Sequence, residues 1–572
     1  MKETTQLKLE TMNKKLITIL CLFFAFSAIG QQEYGHESKA NRTVPPSQRI
    51  FERPLVVDTI IPIPNIQYPS LGRTAETGIT IPEVNPAKIR IVDKLDKIYP
   101  GYLKLGIGNY ATPLGEFYYN TLRNRRLNMG IHANHLSSFG EIKGFAPSQF
   151  DNTSGHFFAN YAFTAFKLES NVDYINHGYH FYGIQDSLDA FPADTFANRV
   201  QGIGFNVAFM NYPAIDSGKV LYKIKTGYNY FHEFLPSWGT PTQHARNSNF
   251  MIGSDFKYKF DNNLFTVDFN VRNNTYRYGE SDTSIIAQFQ RDDNNTIIQL
   301  KPIFSTYGKK WRAKVGVDIN WDFPSPELWK VVPIVEGQYS LFNDIFIPYA
   351  GITGGVTQNT FQTINRDNPF IRSSIDLLNT REFNAYAGFK GTVSKKVAFD
   401  VNFHKKTFNN MPLYVNDTLF SDQNKFDVVY DRVDAFAIKA SASYQLKEKL
   451  KIDLIASWTD YVAQDQEFAW NLAPIDITLR GSYNLFEKIY AKLDLNLLGG
   501  RKSTEGFING LPGDEGDELG FIGDANLHLE YRYNKRISAF VQFNNLAAQN
   551  YLRYYRYPVQ RFQVLGGVTL GF

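Results

Sequence analysis

The chain has 572 residues, 43% of them hydrophobic, and sets 60 Lys and Arg against 56 Asp and Glu, for a formal net charge of +4. So balanced a charge argues against nucleic acid as a partner, and the absence of any run of about 20 apolar residues after position 30 excludes a helical membrane protein. The mean hydropathy of −0.31 looks soluble, but it also fits a chain whose every second residue faces an aqueous lumen.

In chain order, the first feature is the apolar run Leu16 to Ala28, preceded by Lys14-Lys15 and followed by Ile29-Gly30. A short positive region, a core too short to span and small residues before a cleavage point predict a signal peptide over 1–30. The only cysteine, Cys21, leaves with it, which suits passage through an oxidising periplasm. Residues 31–100 carry Pro45-Pro46, Pro54, Pro62, Pro64, Pro69, Pro82 and Pro86. Proline gives no ladder donor, so this is an extended periplasmic or lumenal segment rather than sheet. Within it Leu55 to Ile61 reads as an extended apolar linker.

From residue 101 to 572 the pattern alternates with period two. Trp311, Ala313, Val315, Val317, Ile319 and Trp321 are apolar; Arg312, Lys314, Gly316, Asp318 and Asn320 fall between them. Phe265 to Arg272, Ile489 to Leu497 and Ala525 to Tyr533 repeat the arrangement. Such strands are longer than those of soluble sheets and right for a tilted membrane span.

Polar turns punctuate them, among them Asn124-Arg125-Arg126, Glu169-Ser170-Asn171, Asp261-Asn262-Asn263, Gly308-Lys309-Lys310, Lys447-Glu448-Lys449 and Asn534-Lys535-Arg536. Pro213 to Lys219 is a longer member of that set. Between these turns come long connections near 139–155, 185–198, 232–248, 279–294, 356–381, 409–432, 500–520 and 547–559. The fold class predicted is all-β: a transmembrane antiparallel up-and-down β-barrel of about 22 strands (18 to 22). Short periplasmic turns, long extracellular loops and periplasmic ends go with it. Outer-membrane lipid is then a partner, and a lumen so wide needs a filling: residues 31–100, inward loops or a partner.

Near the end, Tyr551, Tyr554, Tyr555 and Tyr557 form a Tyr-rich loop that is a candidate for ligand or partner contact. The last strand puts Phe562, Val564, Val568, Leu570 and Phe572 on one face. That amphipathic ending is read as the signal taken up by barrel-assembly machinery.

The stretch Phe540 to Leu546, the Tyr-rich loop with Pro558, Arg561-Phe562 and the closing Phe572 resemble the C-terminal end of TonB-dependent receptors. The resemblance implies a 22-stranded outer-membrane barrel and nutrient uptake driven by the inner-membrane TonB system. Family members carry an N-terminal plug of well over a hundred residues; here about 70 mature residues precede the first strand, without the plug's glycine-rich pattern. Two readings follow: a nutrient-binding and transport barrel, with a surface lipoprotein as a candidate partner, or a non-transporting scaffold subunit of secretion or barrel-assembly machinery. A diffusion porin ranks third.

No enzyme is expected. His132 with His135, and His177 with His180, are spaced to opposite faces of a strand, and no H-E-x-x-H, G-x-S-x-G or phosphate-loop pattern occurs. The acidic run Gly513 to Glu518 reads as a solvated external loop. No catalytic, cofactor-binding or metal-ligating residue is assigned, and no cofactor is expected.

Overall fold

The computed structural model describes residues 98–572 apart from 125, 186–190, 193–195, 213–219, 235–244, 279–290, 326–327, 418–423 and 505–516, and apart from the side chains of 291, 292 and 517. The signal peptide, nearly all of the Pro-rich segment, Leu55 to Ile61, the turn Pro213 to Lys219 and most of the acidic run lie outside the described residues.

Twenty-two antiparallel strands form one sheet. Each pairs with its neighbours in the chain, and the first, Gly101–Gly108, pairs with the last, Gln563–Gly571, so the sheet closes. It is the outer-membrane type of barrel. At about 4.8 Å between strands and a tilt near 40°, such a ring is about 40 Å across.

Alternation sets the two faces. Outside, Ile203, Phe205 and Val207, then Phe250, Ile252, Phe256, Tyr258 and Phe260, are exposed, as lipid requires of every second residue. In the strand Trp311–Phe323, Trp311 lies opposite Tyr339 and Trp321 opposite Trp329. These two aromatic pairs bracket Ala313, Val315, Val317 and Ile319. The ten-residue step from Trp311 to Trp321, at about 2.5 Å of depth per tilted residue, gives an apolar band of about 25 Å.

The inner face is a ladder of paired charges. Glu169 receives Lys167 Nζ at 2.5 Å and Lys223 Nζ at 3.0 Å. Gln299 Nε2 donates to both oxygens of Asp318 at 2.9 Å, Lys406 reaches Glu382 at 2.8 Å, and Tyr349 Oη donates to Asp400 at 2.5 Å.

Three sequence readings need correction. Glu169-Ser170-Asn171 is not a turn; it lies within the strand Phe166–His180. The chain reverses just before, where the Phe163 amide bonds to the Phe166 carbonyl at 2.8 Å. Three consecutive polar residues imitate a turn there because Glu169 is the lumenal acceptor for two lysines. Short and long connections also do not alternate strictly, because the first connection on the loop side is only Asn109 to Ala111, with Tyr110 and Ala111 at positive φ. Finally, much of the 409–432 connection is strand. Val397–Asn416 and Phe426–Leu446 run 20 and 21 residues, resuming their pairing at Met411 opposite Asp431 after a bulge. They rise well past the apolar band.

Glycine has a specific use at the closing seam. Gly106 lies opposite Gly567; a Cβ on Gly567 would stand 2.0 Å from the Leu105 carbonyl and 2.8 Å from the Phe540 ring. The bare backbone there lets the buried Phe540 lie across the junction on the lumenal side, with Lys104 Nζ 4.4 Å from its centroid.

Candidate functional site: the closed extracellular mouth

The loop-side end of the barrel is occupied by its own connections. The connection after the strand Ile347–Thr357 begins with a short helix, Phe361–Asp367. Thr360 caps it, accepting the Thr363 amide while the Thr363 hydroxyl accepts the Thr360 amide. A capping box of this kind lets so short a helix hold its first turn. Its Phe361 and Ile364, with Phe370, Ile371 and Ile375 beyond it, are buried in one apolar cluster with Phe181, Phe231, Tyr276, Phe426, Tyr554 and Tyr557.

These residues come from widely separated walls. Phe181 follows the fifth strand, Phe166–His180, and Asn424 precedes the sixteenth, Phe426–Leu446, eleven places away in a ring of 22. Asn424 Nδ2 nevertheless donates to the Phe181 carbonyl at 3.0 Å. The loops therefore meet across the whole mouth. The 371 segment forms a parallel bridge with Phe426, and the Phe426 amide bonds to the Phe370 carbonyl at 2.9 Å.

The Tyr-rich loop fastens this closure. Leu552–Tyr554 and Tyr557–Pro558 make a miniature hairpin. Tyr557, fully buried, stacks on Phe370 with centroids 3.7 Å apart, and its hydroxyl donates to the Asn424 carbonyl. Tyr554 Oη donates to the Asp367 carbonyl, and Tyr276 Oη to that of Ser373. Tyr182 Oη donates to the Pro558 carbonyl at 2.9 Å. Behind the hairpin, Arg501 donates to the carbonyls of Arg553 and Leu552 at 2.6 and 2.7 Å. Burial pushes the Tyr551, Tyr554 and Tyr557 phenols above their ordinary range. Tyr554 and Tyr557 stay protonated at neutral pH, as donors to carbonyls must.

Of the four tyrosines singled out in the sequence, two are thus committed to packing. Tyr551 and Tyr555 remain half-buried, with Arg556 over the Tyr555 ring at 5.5 Å. The C-terminal face is placed on the outside: Phe562, Val568, Leu570 and Phe572 are exposed. Val564 shares their face, at half-exposure.

On the lumen wall, register assembles a group that no local motif announces. Tyr118, His132, His156 and Asp173 lie side by side on four successive strands. Tyr118 and His132 stack at 3.9 Å, His132 Nε2 is 3.5 Å from Glu116, and His156 Nδ1 is 2.6 Å from Asp173. His135 points the other way, to Thr153 at 2.8 Å. Among the described residues no three His, Cys, Asp or Glu side chains are placed to hold a metal ion.

No protein-family model matches this chain, and no curated protein matches it. Solved structures do. The siderophore receptor PirA from Acinetobacter baumannii superposes with a TM-score of 0.63 at 9% identity, over 84% of this chain and 81% of that one. The copper transporter OprC gives 0.60 at 11%, over 83% and 81%. The ferric-catecholate import receptor Fiu from E. coli K12, in a closed form, gives 0.59 at 10%, over 83% and 82%. This is the TonB-dependent receptor-like barrel fold. Identity this low carries the fold and no further.

Proposed function

We propose that this chain is a nutrient-uptake receptor of the outer membrane, with the loop cap as its extracellular gate. The observation that supports this best is the bridging of the mouth from opposite walls, through Asn424 to Phe181 and Tyr557 to Asn424. Every such contact is noncovalent and made by a loop, so an occupant can compete for it. The cargo class is a metal ion or ferric chelate, as in the structures the barrel is similar to, with energy from the TonB system. Tyr551 and Tyr555 are the cap residues that meet ligand or a surface lipoprotein, while Tyr554 and Tyr557 hold the gate shut. The outward C-terminal face, Phe562 to Phe572, is what barrel-assembly machinery takes up, with 1–30 removed and 31–100 left on the periplasmic or lumenal side.

A second reading, a non-transporting scaffold subunit, is favoured by the same seal, because an aromatic plug of this kind also suits a barrel that passes nothing. Crosslinking the gate separates the two. With Cys21 the chain's only cysteine, a pair at Ile371→Cys and Phe426→Cys, direct partners in the parallel bridge of the closed mouth, stands close enough for one defined disulfide after signal removal. Uptake of radiolabelled iron and copper chelates should stop in the oxidised protein and return with reductant. Uptake that ignores the crosslink refutes the gate. No uptake of any chelate by the wild type, with stoichiometric recovery of secretion or assembly proteins, supports the scaffold.

A further inference from the structure

We propose that the lumen wall carries a site for a divalent transition-metal ion, Cu²⁺ before Zn²⁺ or Ni²⁺, held by His132, Glu116 and His156. The inference deepens the uptake reading, and only its role as a station for passing cargo rests on that reading. His132 lies in the strand Leu127–Ser138 and Glu116 in the neighbouring Thr112–Asn120. The two are diagonal neighbours on the lumenal face, because Tyr118 is opposite His132 and Asn134 opposite Glu116. His132 Nε2 stands 3.5 Å from Glu116 Oε1. A charge-assisted hydrogen bond closes to about 2.7–2.9 Å, and this enclosed nitrogen makes no hydrogen bond. The gap is instead the separation of two donors on one ion: with both bonds about 2.0–2.1 Å, the angle at the ion is about 115–120°.

Neighbouring side chains hold these donors in place. The Tyr118 ring stacks on the His132 imidazole, 3.9 Å away and tilted by 4°, and its hydroxyl donates to Glu116 Oε1 at 2.7 Å. One residue thus fixes the imidazole plane and the carboxylate together, as the partners around metal ligands do. His156 lies directly opposite His132 on the next strand, a spacing of about 4.5–5.5 Å between Cβ atoms. His156 Nδ1 is 2.6 Å from Asp173. The carboxylate keeps the ring proton on that nitrogen and leaves Nε2 a bare donor. As the side chains stand, three donors do not converge, so His156 swings in as the ion binds. Water takes the remaining positions, since His132 and Glu116 are both part-exposed to the lumen. An ion with open positions exchanges, which suits a station rather than a structural metal. The donor set names the ion: two imidazoles and a carboxylate suit Cu²⁺, Zn²⁺ and Ni²⁺, with Cu²⁺ tightest, whereas Ca²⁺ and Mg²⁺ take oxygen donors. His132 is five residues beyond Leu127, about 12 Å above the periplasmic turn. An ion admitted at the mouth meets it before the periplasmic exit.

The test uses the full chain purified in mild detergent without a polyhistidine tag. Cu²⁺ is titrated in by isothermal calorimetry with Ca²⁺ in excess, and the bound ion is read by pulsed electron paramagnetic resonance. Heat-modifiable gel mobility reports that each variant is folded. The wild type should bind one more equivalent of Cu²⁺ than His132→Gln, and that equivalent should show two imidazole nitrogens. His156→Gln should lower the imidazole count to one, and Tyr118→Phe should weaken binding about 10- to 100-fold. His135→Gln, on the other face of the strand, should change nothing. Equal stoichiometry in the wild type and folded His132→Gln overturns the proposal. So does a single imidazole in the wild type, or an equivalent that Ca²⁺ displaces. If His132→Gln fails to fold, Glu116→Gln replaces it as the variant that must lose the equivalent. Uptake of radiolabelled chelates is measured separately. A wild type that binds the ion but takes up no chelate keeps the site and refutes the uptake reading; uptake without the lumenal equivalent refutes the site alone.

Discussion

Arginine placed at Val315 measures whether the apolar band lies where the tryptophans put it. Val315 is 55% exposed and sits opposite Val335, itself 43% exposed. With Trp311 and Trp321 marking the two interfaces, the midplane falls at Gly316, so Val315 lies within about 2.5 Å of it. An outward Arg at that depth costs about 2–4 kcal/mol, falling to about 0–1 near the interfaces. At 1.4 kcal/mol per decade, Val315→Arg lowers the folded-to-unfolded ratio by roughly 30-fold to several hundred-fold. Trp321→Arg, at the outer girdle, pays only the interfacial cost in charge terms. Lys314→Val, one residue away but lumenal, removes only a loose 3.9 Å contact with Glu336 whose partners are both more than a third exposed, an interaction worth about 0–1 kcal/mol. Urea-titrated refolding into phospholipid vesicles, read by heat-modifiable mobility, gives the three midpoints. If Val315→Arg matches Lys314→Val, the facing assignment is wrong. If Trp321→Arg is as damaging as Val315→Arg, the band is misplaced.

Other expectations follow from the cap and the seam. Tyr557→Phe leaves the carbonyl of the buried Asn424 without its donor, a loss of about 1–3 kcal/mol, while Tyr554→Phe removes a part-buried bond to Asp367 worth about 0.5–1.5 kcal/mol; both should increase the frequency of open events in planar bilayers, and unchanged traces would remove these hydroxyls as the latch. Gly567→Val should block barrel closure, because its side chain collides with backbone at Leu105 and Gly106; normal yield of heat-modifiable protein would contradict the geometry. The cap should also tighten in alkali. Burial pushes the Lys425 ammonium below its ordinary 10.5, with Glu233 and Asp417 opposing. The opened cap therefore binds more protons between the lowered value and 10.5, and closure gains stability as pH rises through that window. Limited proteolysis of the loops should slow from pH 7 to pH 10, and Lys425→Met should flatten the trend; slowing that persists in the variant assigns the effect elsewhere.

The barrel was legible because alternation is a local signal. Trp311 to Trp321 announces its faces without any partner strand, and turns such as Gly308-Lys309-Lys310 announce their own positions. Glu169 misled because a lumenal hub and a turn draw on the same polar residues. Only register with the strand that carries Lys223 distinguishes them. The Tyr-rich loop stood out by composition, but not the burial of Tyr557, which depends on Phe370 and Asn424 arriving from other walls. The Tyr118, His132, His156 and Asp173 row was beyond reach for the same reason, since four strands must first be aligned.

The seam between the first and last strands joins residues separated by nearly the whole barrel sequence; Asn109 Nδ2 bonds to the Phe562 carbonyl across 453 positions. Until the nine-residue strand Gln563–Gly571 has been made and delivered, the growing sheet has two free edges, each a template for any passing strand. Sealing is consequently the terminal event of biogenesis, and the slow one, because it joins the most distant contacts in the chain. The seam falls on Gly101–Gly108, which at eight residues is, with Ile537–Asn544, the shortest strand of the barrel.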